Sequence, residues 1–577
     1  MADFTLQTRL EIDGQPLDEG LVTLLEQLVF EDYLHAPDMV MATFRDVERQ
    51  VLADARIRIG SKLKLAASSV GGREPEVLVS AEVTAIEAEY TAAGSRAIVR
   101  AYDPSHRMHR GRRTESYVGM KDSDIARRIA ARLGLTGAQV DDSGPVLDHV
   151  SQANETDWAF LQARAREIGF DLGVDTHGTF FFRKPGASNE GPEGGDYDSA
   201  DPLQLVMGQD LLEFHPRVSS AEQVREVTVR GWDPKAKQAV VGRAPAKASA
   251  ATLNTNPAEL ASRFGDPVFT CVDRPLSSQS AVDATAKALS ERIGSAFAEA
   301  VGLARGNPKL KAGTAVSVGV VADDFAGKYV ITSSRHIFDK EGYRTRFVVS
   351  GRLDRSLLAL AGGSGGGGAV SPPIDGVVVA LVTNNDDPER QGRVKLKFPW
   401  LADDYESDWA RLVQLGAGPD SGAVFIPEVN DEVLVAFEFG DIRRPYVVGS
   451  LWNGVDKPRL IETPGHAGSL FDNGAVRRRG FVSRRGHRAA FLDADGESGL
   501  DLVTSDDRLR ITLDESGTEI RITSDGTIVI ESKRDLSIKS GANLTIEASG
   551  NLSLKGGGTT KVEGGTVDID GGVITLN

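Results

Sequence analysis

The chain of 577 residues contains one cysteine, Cys271, so neither an intrachain disulfide nor a cysteine-based zinc site can form. Its first residues, "MADFTLQTRLEIDGQ", lack a basic segment followed by an apolar core, and no run approaches the roughly 20 apolar residues that cross a bilayer. Synthesis in a reducing cytoplasm without a signal peptide is therefore expected. Positive charge is also short. Against 83 Asp and Glu stand 66 Lys and Arg, a formal net charge of −17, which argues against a dedicated nucleic-acid binder because phosphate contacts come mainly from Lys and Arg. Aromatics make up 6% while glycines number 62, a balance that leans toward turn-rich β structure. The length exceeds one core and suggests several domains at about 100–200 residues each.

The seam in the chain is "AGGSGGGGAVSPP" at 361–373, a flexible glycine run that ends in a stiff proline step. Residues 1–360 alternate strand-like stretches such as "IRIGSKLKL" and "GTAVSVGVV" with a few helices. One helix is expected in "DSDIARRIAARLG", capped by Asp122 or Ser123, with Ile125, Ile129 and Leu133 on one face and Gly134 as its stop. A second is expected from Thr156 to Ile168, so that α/β insertions occupy about 115–185. Beyond the seam, "DGVVVALVTN", "GRVKLKFPW", "WARLVQL", "GAVFIP", "DEVLVAFEF" and "PYVVGSLWN" read as short strands, a density that predicts an antiparallel barrel of oligonucleotide/oligosaccharide-binding (OB) type over 374–458. A neck over 459–489 and a β-rich tail over 490–577 follow.

The tail repeats. Ile520, Ile528, Leu536, Leu544, Leu552, polar Thr560, Val567 and Ile574 recur every eight residues, tightening to seven at the end. Two positions after each lie Ile522, Ile530, Ile538, Ile546, Leu554, Val562, Ile569 and Leu576. Alternate residues of a strand share a face, so each unit offers two apolar side chains on one side and then bends at glycines such as Gly541 and Gly550. A single-chain solenoid would have little more than two coils here, fewer than the roughly three repeats such stacks need. Three chains wound together use the same length better, and a homotrimeric needle is the expectation. The residue after each second apolar position alternates in sign through Glu531, Lys539, Glu547, Lys555 and Glu563, a pattern that is either a register device or a solvated polar face.

Little in the sequence points to catalysis. Gly362-Gly363-Ser364-Gly365-Gly366 fits the hydrolase elbow G-x-S-x-G only inside a glycine run, without the strand and helix that the motif requires. His106 and His109 lack a third ligand, and read as surface residues rather than a metal pair. Asp323-Asp324, Asp386-Asp387 and Asp403-Asp404 read as solvated turn charges. The glycine-rich end lacks the calcium-binding nonapeptide register. Arg477, Arg478, Arg479, Arg484, Arg485 and Arg488 read as a neck packed on acidic loops of neighbouring chains. No enzyme activity, cofactor or metal is expected.

"QGRVKLKFPW", "GAVFIPEVNDEVLVAFEFGD" and "RPYVVGSLWNG" closely resemble the OB-fold of the VgrG-type spikes of contractile injection machines, and "SRRGHRAAFLDADG" is similar to that family's entry into its β-helix. "DPSHRMHRG", "KDSDIARRIAARLGL", "NETDWAFLQARAREIGFDL" and "FAGKYVITSSRHIFDKEGYRTRF" resemble the hub half shared with phage tail-hub proteins. The resemblance implies a mainly β chain with an α+β hub. Two tail-hub-like β-barrel domains with helical insertions would precede an OB collar and an intertwined triple-stranded β-helix, the whole a homotrimer. It implies a mechanical spike that joins inner tube and baseplate to the tip, punctures a target envelope on sheath contraction, and can carry effector cargo. A PAAR-type tip protein would dock on Val573, Ile574, Thr575, Leu576 and Asn577. The needle core would be Ile520, Ile522, Ile528, Ile530, Leu536, Ile538, Leu544, Ile546, Leu552, Leu554, Val562, Val567 and Ile569. The chain stops after Asn577 and has no histidine beyond His487, so neither a C-terminal effector domain nor a metal-binding tip is expected. The compact needle suggests a phage-tail-like particle assembled in the cytoplasm and released outside the cell; a type VI or phage spike is the alternative. A single-chain β-helical carbohydrate-binding protein or enzyme is the reading from another class.

Overall fold

The computed structural model describes residues 8–69, 75–135, 137–194, 201–352, 374–458 and 470–575, apart from 473 and 495. The linker 361–373, with its G-x-S-x-G match, and the tip residues Leu576 and Asn577 lie outside the described residues. The chain divides into two compact units, 1–453 and 454–577.

The first unit is built on an eleven-stranded sheet. Its strands form where apolar residues alternate: in Met39–Arg45, Val40, Ala42 and Phe44 are buried while their neighbours face outward. In spatial order the strands are Leu211–Val218, Ala298–Arg305, Gly342–Val349, Ser333–Asp339, Leu25–Tyr33, Met39–Arg45, Gly94–Tyr102, Glu76–Thr91, Lys62–Ala67, Thr8–Ile12 and Gln15–Pro16. The two hub β domains expected from the sequence are thus the two ends of one sheet. They join where Leu25–Tyr33 pairs antiparallel with Ser333–Asp339, Phe30 opposite His336. Separate cores flank the junction, one around Leu28, Phe44 and Leu65, the other around Phe297, Val316 and Phe347.

Two α/β insertions leave this sheet. In the first, the antiparallel strands Arg113–Met120 and Leu147–Glu155 and the helices Asp122–Arg132 and Asp157–Ile168 enclose Tyr117, Ile125, Phe160 and Phe182. The expected cap of the first helix is displaced. Lys121 is the N-cap without a side-chain bond; the Ser123 N–H donates to Ser143 Oγ at 3.0 Å, and Asp122 turns inward to Arg164. The second helix matches expectation: Thr156 Oγ1 accepts the Ala159 N–H at 3.1 Å, and Gly169 closes the helix at φ +73°. In the second insertion the helix Gln279–Ser295 lies on the strands Glu226–Asp233 and Gln238–Pro245. The approach is so close at Gly242 that a Cβ would sit 2.4 Å from the Val282 carbonyl oxygen. Among the described residues no helix is long and apolar enough to cross a membrane.

The collar is a five-stranded sheet in the order Lys395–Lys397, Val377–Asn384, Glu432–Phe437, Pro445–Ser450, Arg411–Leu412. Its two edges meet through Val394 and Ala410, which exchange backbone bonds of 3.0 and 2.7 Å, so the sheet closes into a barrel around Phe398, Val433 and Val435. One expected strand is absent. Of "GAVFIP" only Gly422 lies in a strand; the Ala423 N–H still donates to the Gly416 carbonyl at 3.2 Å, and the Gln414 side-chain amide accepts from the Phe425 N–H and donates to its carbonyl.

The second unit contains an antiparallel sheet of Arg478–Val482, Arg488–Ala494, Glu497–Val503, Leu509–Asp514 and Glu519–Ser524 in sequential order. A short antiparallel pair, Phe471–Asp472 with Ala475–Val476, precedes it, so β structure begins inside the stretch read as neck. Residues 525–575 form no strand paired within the chain.

Candidate assembly surfaces

Within the first unit the collar is keyed to the hub by buried polar contacts. The Tyr405 hydroxyl bonds Ser151 Oγ at 2.8 Å. Ser116 Oγ donates to the Glu406 carbonyl at 3.1 Å, and His149 Nε2 lies 3.1 Å from the same oxygen. Burial lowers the His149 pKa and favours the neutral ring, whose Nε2–H donates there. Beside them, Arg443 binds Asp441 at 2.8 Å and Glu167 of the second hub helix at 3.3 Å. Glu167 also pairs with Arg164, which grips Asp122 at 2.7 and 3.0 Å. Burial opposes the Arg443 charge, but Glu167 and Asp441 outweigh it and hold the guanidinium above its ordinary pKa.

A cavity of about 600 Å³ in the hub is lined by Asp32, Asp38, Asp103, Asp171, Lys184 and Lys311 among others. Asp32, Asp38 and Asp103 are buried together. The Asp38 N–H donates to Asp103 Oδ2 at 2.6 Å and the Ala312 N–H to Asp32 Oδ2 at 2.8 Å, so one carboxylate ties the turn after Tyr33 to the end of the strand Gly94–Tyr102 and another ties the strand Leu25–Tyr33 to the loop before Ala315. Burial, then the charges of Asp32 and Asp103, push Asp38 well above the carboxylate range, and burial pushes Asp103 up to about 6. Among the described residues no group of three His, Cys, Asp or Glu side chains could hold a metal ion.

The second unit presents the larger surface. Register places Phe491, Leu500, Leu513 and Ile520 in one row across its sheet, and Phe481, Ala489, Leu502, Ile511 and Ile522 in the next, on the same face. Every large apolar residue of these rows is exposed within the single chain. The opposite face is satisfied internally: buried Asp501 accepts from Arg510 at 2.7 and 3.1 Å and from Thr512 Oγ1 at 2.8 Å. The apolar face runs on into the octads. Of the needle-core residues, Ile520 and Ile522 sit on the last strand, while Ile528, Ile530, Leu536, Ile538, Leu544, Ile546, Leu552, Leu554, Val562, Val567 and Ile569 lie on the extended tail. All are exposed, Ile530 at 69% and Leu554 at 72%; of the tip residues, Val573 is 88% exposed and Ile574 and Thr575 are exposed too. A contiguous apolar stripe of this kind marks an interaction surface. The collar adds Leu415, Val424 and Phe425, exposed around the Gln414 contact.

The sequence readings missed the sheet face from Phe481 to Leu513, although its alternation, Leu500 with Leu502 and Leu509 with Ile511 and Leu513, was visible. Other residues need correction. His106 is half-buried and bonds Glu82 at 2.9 Å, bracing the hub, whereas His109 is exposed as expected, its ring stacked on Trp158 at 4.8 Å. Asp323, Asp324, Asp386, Asp403 and Asp404 are exposed as expected. Asp387 is buried: it receives Arg393 at 2.7 and 3.0 Å and backbone N–H groups of Glu389, Gln391 and Arg393, which holds its carboxyl far below the usual range. Three arginines of the basic cluster form ion pairs within the chain, Arg478 with Glu497, Arg479 with Asp493 and Arg488 with Asp507.

Residues 378–452 match the family described as type VI secretion system/phage-baseplate injector OB domain, and residues 79–340 match one described as Alg8 N-terminal domain. The chain is 37% identical over 71 residues to the type VI secretion system spike protein VgrG2a of Pseudomonas aeruginosa, which covers 12% of this chain and 8% of that protein. It is 34% identical over 74 residues, 12% of this chain and 7% of the relative, to the actin cross-linking toxin VgrG1 of Vibrio cholerae. The matches thus span less than a tenth of these relatives' length. A chain of the lidded Francisella PdpA–VgrG complex is similar in fold, with a TM-score of 0.54 at 9% identity, over 90% of this chain and 80% of that one. The chain is thus similar to VgrG spikes in sequence over its collar, and to a chain of the PdpA–VgrG complex in fold over 90% of its length.

Proposed function

We propose that this protein is the hub and spike of a contractile injection system, a homotrimer that links inner tube and baseplate to a needle and drives that needle through a target envelope. The carrying observation is the exposed apolar stripe that runs from the sheet face at Phe491 and Leu500 through the octads to Ile574, in a chain whose residues 378–452 match the injector OB family. Three copies winding together would bury this stripe and pair the backbone of residues 525–575. A single-chain β-helix would do both within one chain, and the exposure of every needle-core side chain argues against it. The role is mechanical and not enzymatic. The actin cross-linking in the name of the Vibrio cholerae relative belongs to that protein, whose match here is 74 residues long. A PAAR-type protein would cap the end at Val573–Asn577, effector cargo would ride with the spike, and the phage-tail-like particle, assembled in the cytoplasm, would be released outside the cell.

The test is absolute mass by light scattering, for the full chain and for one ended after Ser524. A full-length mass near three times 61.7 kDa that falls on truncation supports the interwoven needle. A stable full-length monomer overturns it and returns the single-chain β-helix.

A further inference from the structure

We infer that the alternating charges Glu531, Lys539, Glu547, Lys555 and Glu563 set the register in which the copies of this chain wind together, an inference that rests on the trimeric reading above. Each follows the second apolar residue of its octad and so lies on the opposite face of the extended chain from Ile530, Ile538, Ile546, Leu554 and Val562. All five charges are exposed in the single chain.

The geometry follows from symmetry. A threefold axis puts the same octad of every chain at one height. If each chain moves on by one face of the prism per octad, the strand stacked on octad n is octad n+1 of a neighbour, about 4.8 Å away. Glu531 then lies beside a neighbour's Lys539, Lys539 beside Glu547, Glu547 beside Lys555 and Lys555 beside Glu563, unlike charges at every step. A chain slipped by one octad meets octad n or n+2 instead, and each of these contacts becomes like against like.

The apolar stripe cannot supply this information. Its two positions carry only Ile or Leu from Ile528 to Leu554, so a slip of eight residues leaves the core almost unchanged. The charges are what distinguishes one octad from the next. Below Glu563 the alternation stops at Asp570, and there Lys561, paired with Glu563 and on its face, provides the positive charge.

Two variants of the full chain test the ladder by refolding at low and high salt. Lys539→Glu with Lys555→Glu makes it uniformly acidic; Glu531→Lys, Lys539→Glu, Glu547→Lys, Lys555→Glu, Lys561→Glu and Glu563→Lys together invert every sign. The expected result is a several-fold lower yield of trimer for the acidic variant at low salt, recovery near 1 M salt, where the screening length is about 3 Å, and normal assembly of the inverted variant. Assembly of the acidic variant equal to the unaltered chain at low salt overturns the inference. Register is read directly by cysteine pairs, Cys271 being buried. Ser537→Cys with Thr545→Cys, one octad apart, should oxidise to a covalent trimer, while Ser537→Cys with Ser553→Cys should not; the opposite result also overturns it. If the unaltered chain is monomeric by mass, the failure is that of the trimeric reading, not of the ladder.

Discussion

Arg443 in the collar and Glu167 on the second hub helix form an ion pair of 3.3 Å that joins elements 276 residues apart. Asp441, Arg164 and Asp122 extend the pair into a chain of charges across the hub–collar contact. Burying charge is unfavourable unless every member is paired, so this chain fixes orientation more than it adds stability.

Removing one member should therefore harm more than removing two. Arg443→Met is expected to destabilise the hub and collar by about 3 kcal/mol, because Glu167 loses a partner in a buried setting, and Arg443→Met with Glu167→Met should recover part of it. Urea midpoints followed by Trp fluorescence would measure both; a single variant no less stable than the native chain contradicts the account.

The collar loop around Asp387 gives a second prediction. Asp387→Asn leaves Arg393 without its carboxylate and weakens three backbone bonds, at a cost of about 3 kcal/mol. Hydrogen exchange should rise first in residues 387–394. At the exposed neighbour, Asp386→Asn should shift stability by less than about 0.5 kcal/mol.

Acidity acts on the hub in two opposed ways. Asp103, raised to about 6 from 3.8, holds its proton longer when folded, and Asp38 is raised well above its ordinary value too; this contribution is complete below about pH 4 and lost as pH rises through 6 and above. His336, buried and lowered to about 3 from 6.5, contributes above pH 6.5 and loses that contribution as pH falls toward 3. Asp38→Asn keeps an acceptor for the Tyr33 N–H and removes the charge. It should raise the calorimetric melting temperature at pH 8, and the gain should shrink toward zero at pH 4. An equal shift at both pH values would exclude titration of this cluster as the cause.

The needle separates buried from merely exposed. Were Ile538 and Ile546 solvent-facing in the working assembly, Ile538→Asp with Ile546→Asp would change stability by less than about 0.5 kcal/mol each. If instead they face one another around a threefold axis, as proposed, the two substitutions should abolish the trimer, and sedimentation of the variant should show the lower mass.

Much of this was legible in linear order because periodicity and turn residues act locally. The collar strands, the Thr156 cap with its Gly169 stop, and the octads each follow from residues within one turn or strand of one another. Other assignments failed where a distant side chain outbid the local one. Asp122 was expected to cap its own helix but is drawn to Arg164; "GAVFIP" was expected to pair as a strand but is held by Gln414; Asp387 was read as a solvated turn charge but is claimed by Arg393.

By itself, the sequence determined that the chain is mainly β and that its tail carries an apolar stripe with a period of eight, since each is a property of neighbouring residues. Only the tertiary structure decided that the hub's two halves share one sheet through Phe30 and His336, that the collar closes through Val394 and Ala410, and that the stripe continues across the sheet face to Phe491. Those are pairings between residues far apart in the chain, and the backbone bonds that make them carry no mark in the side chains that a linear reading could detect.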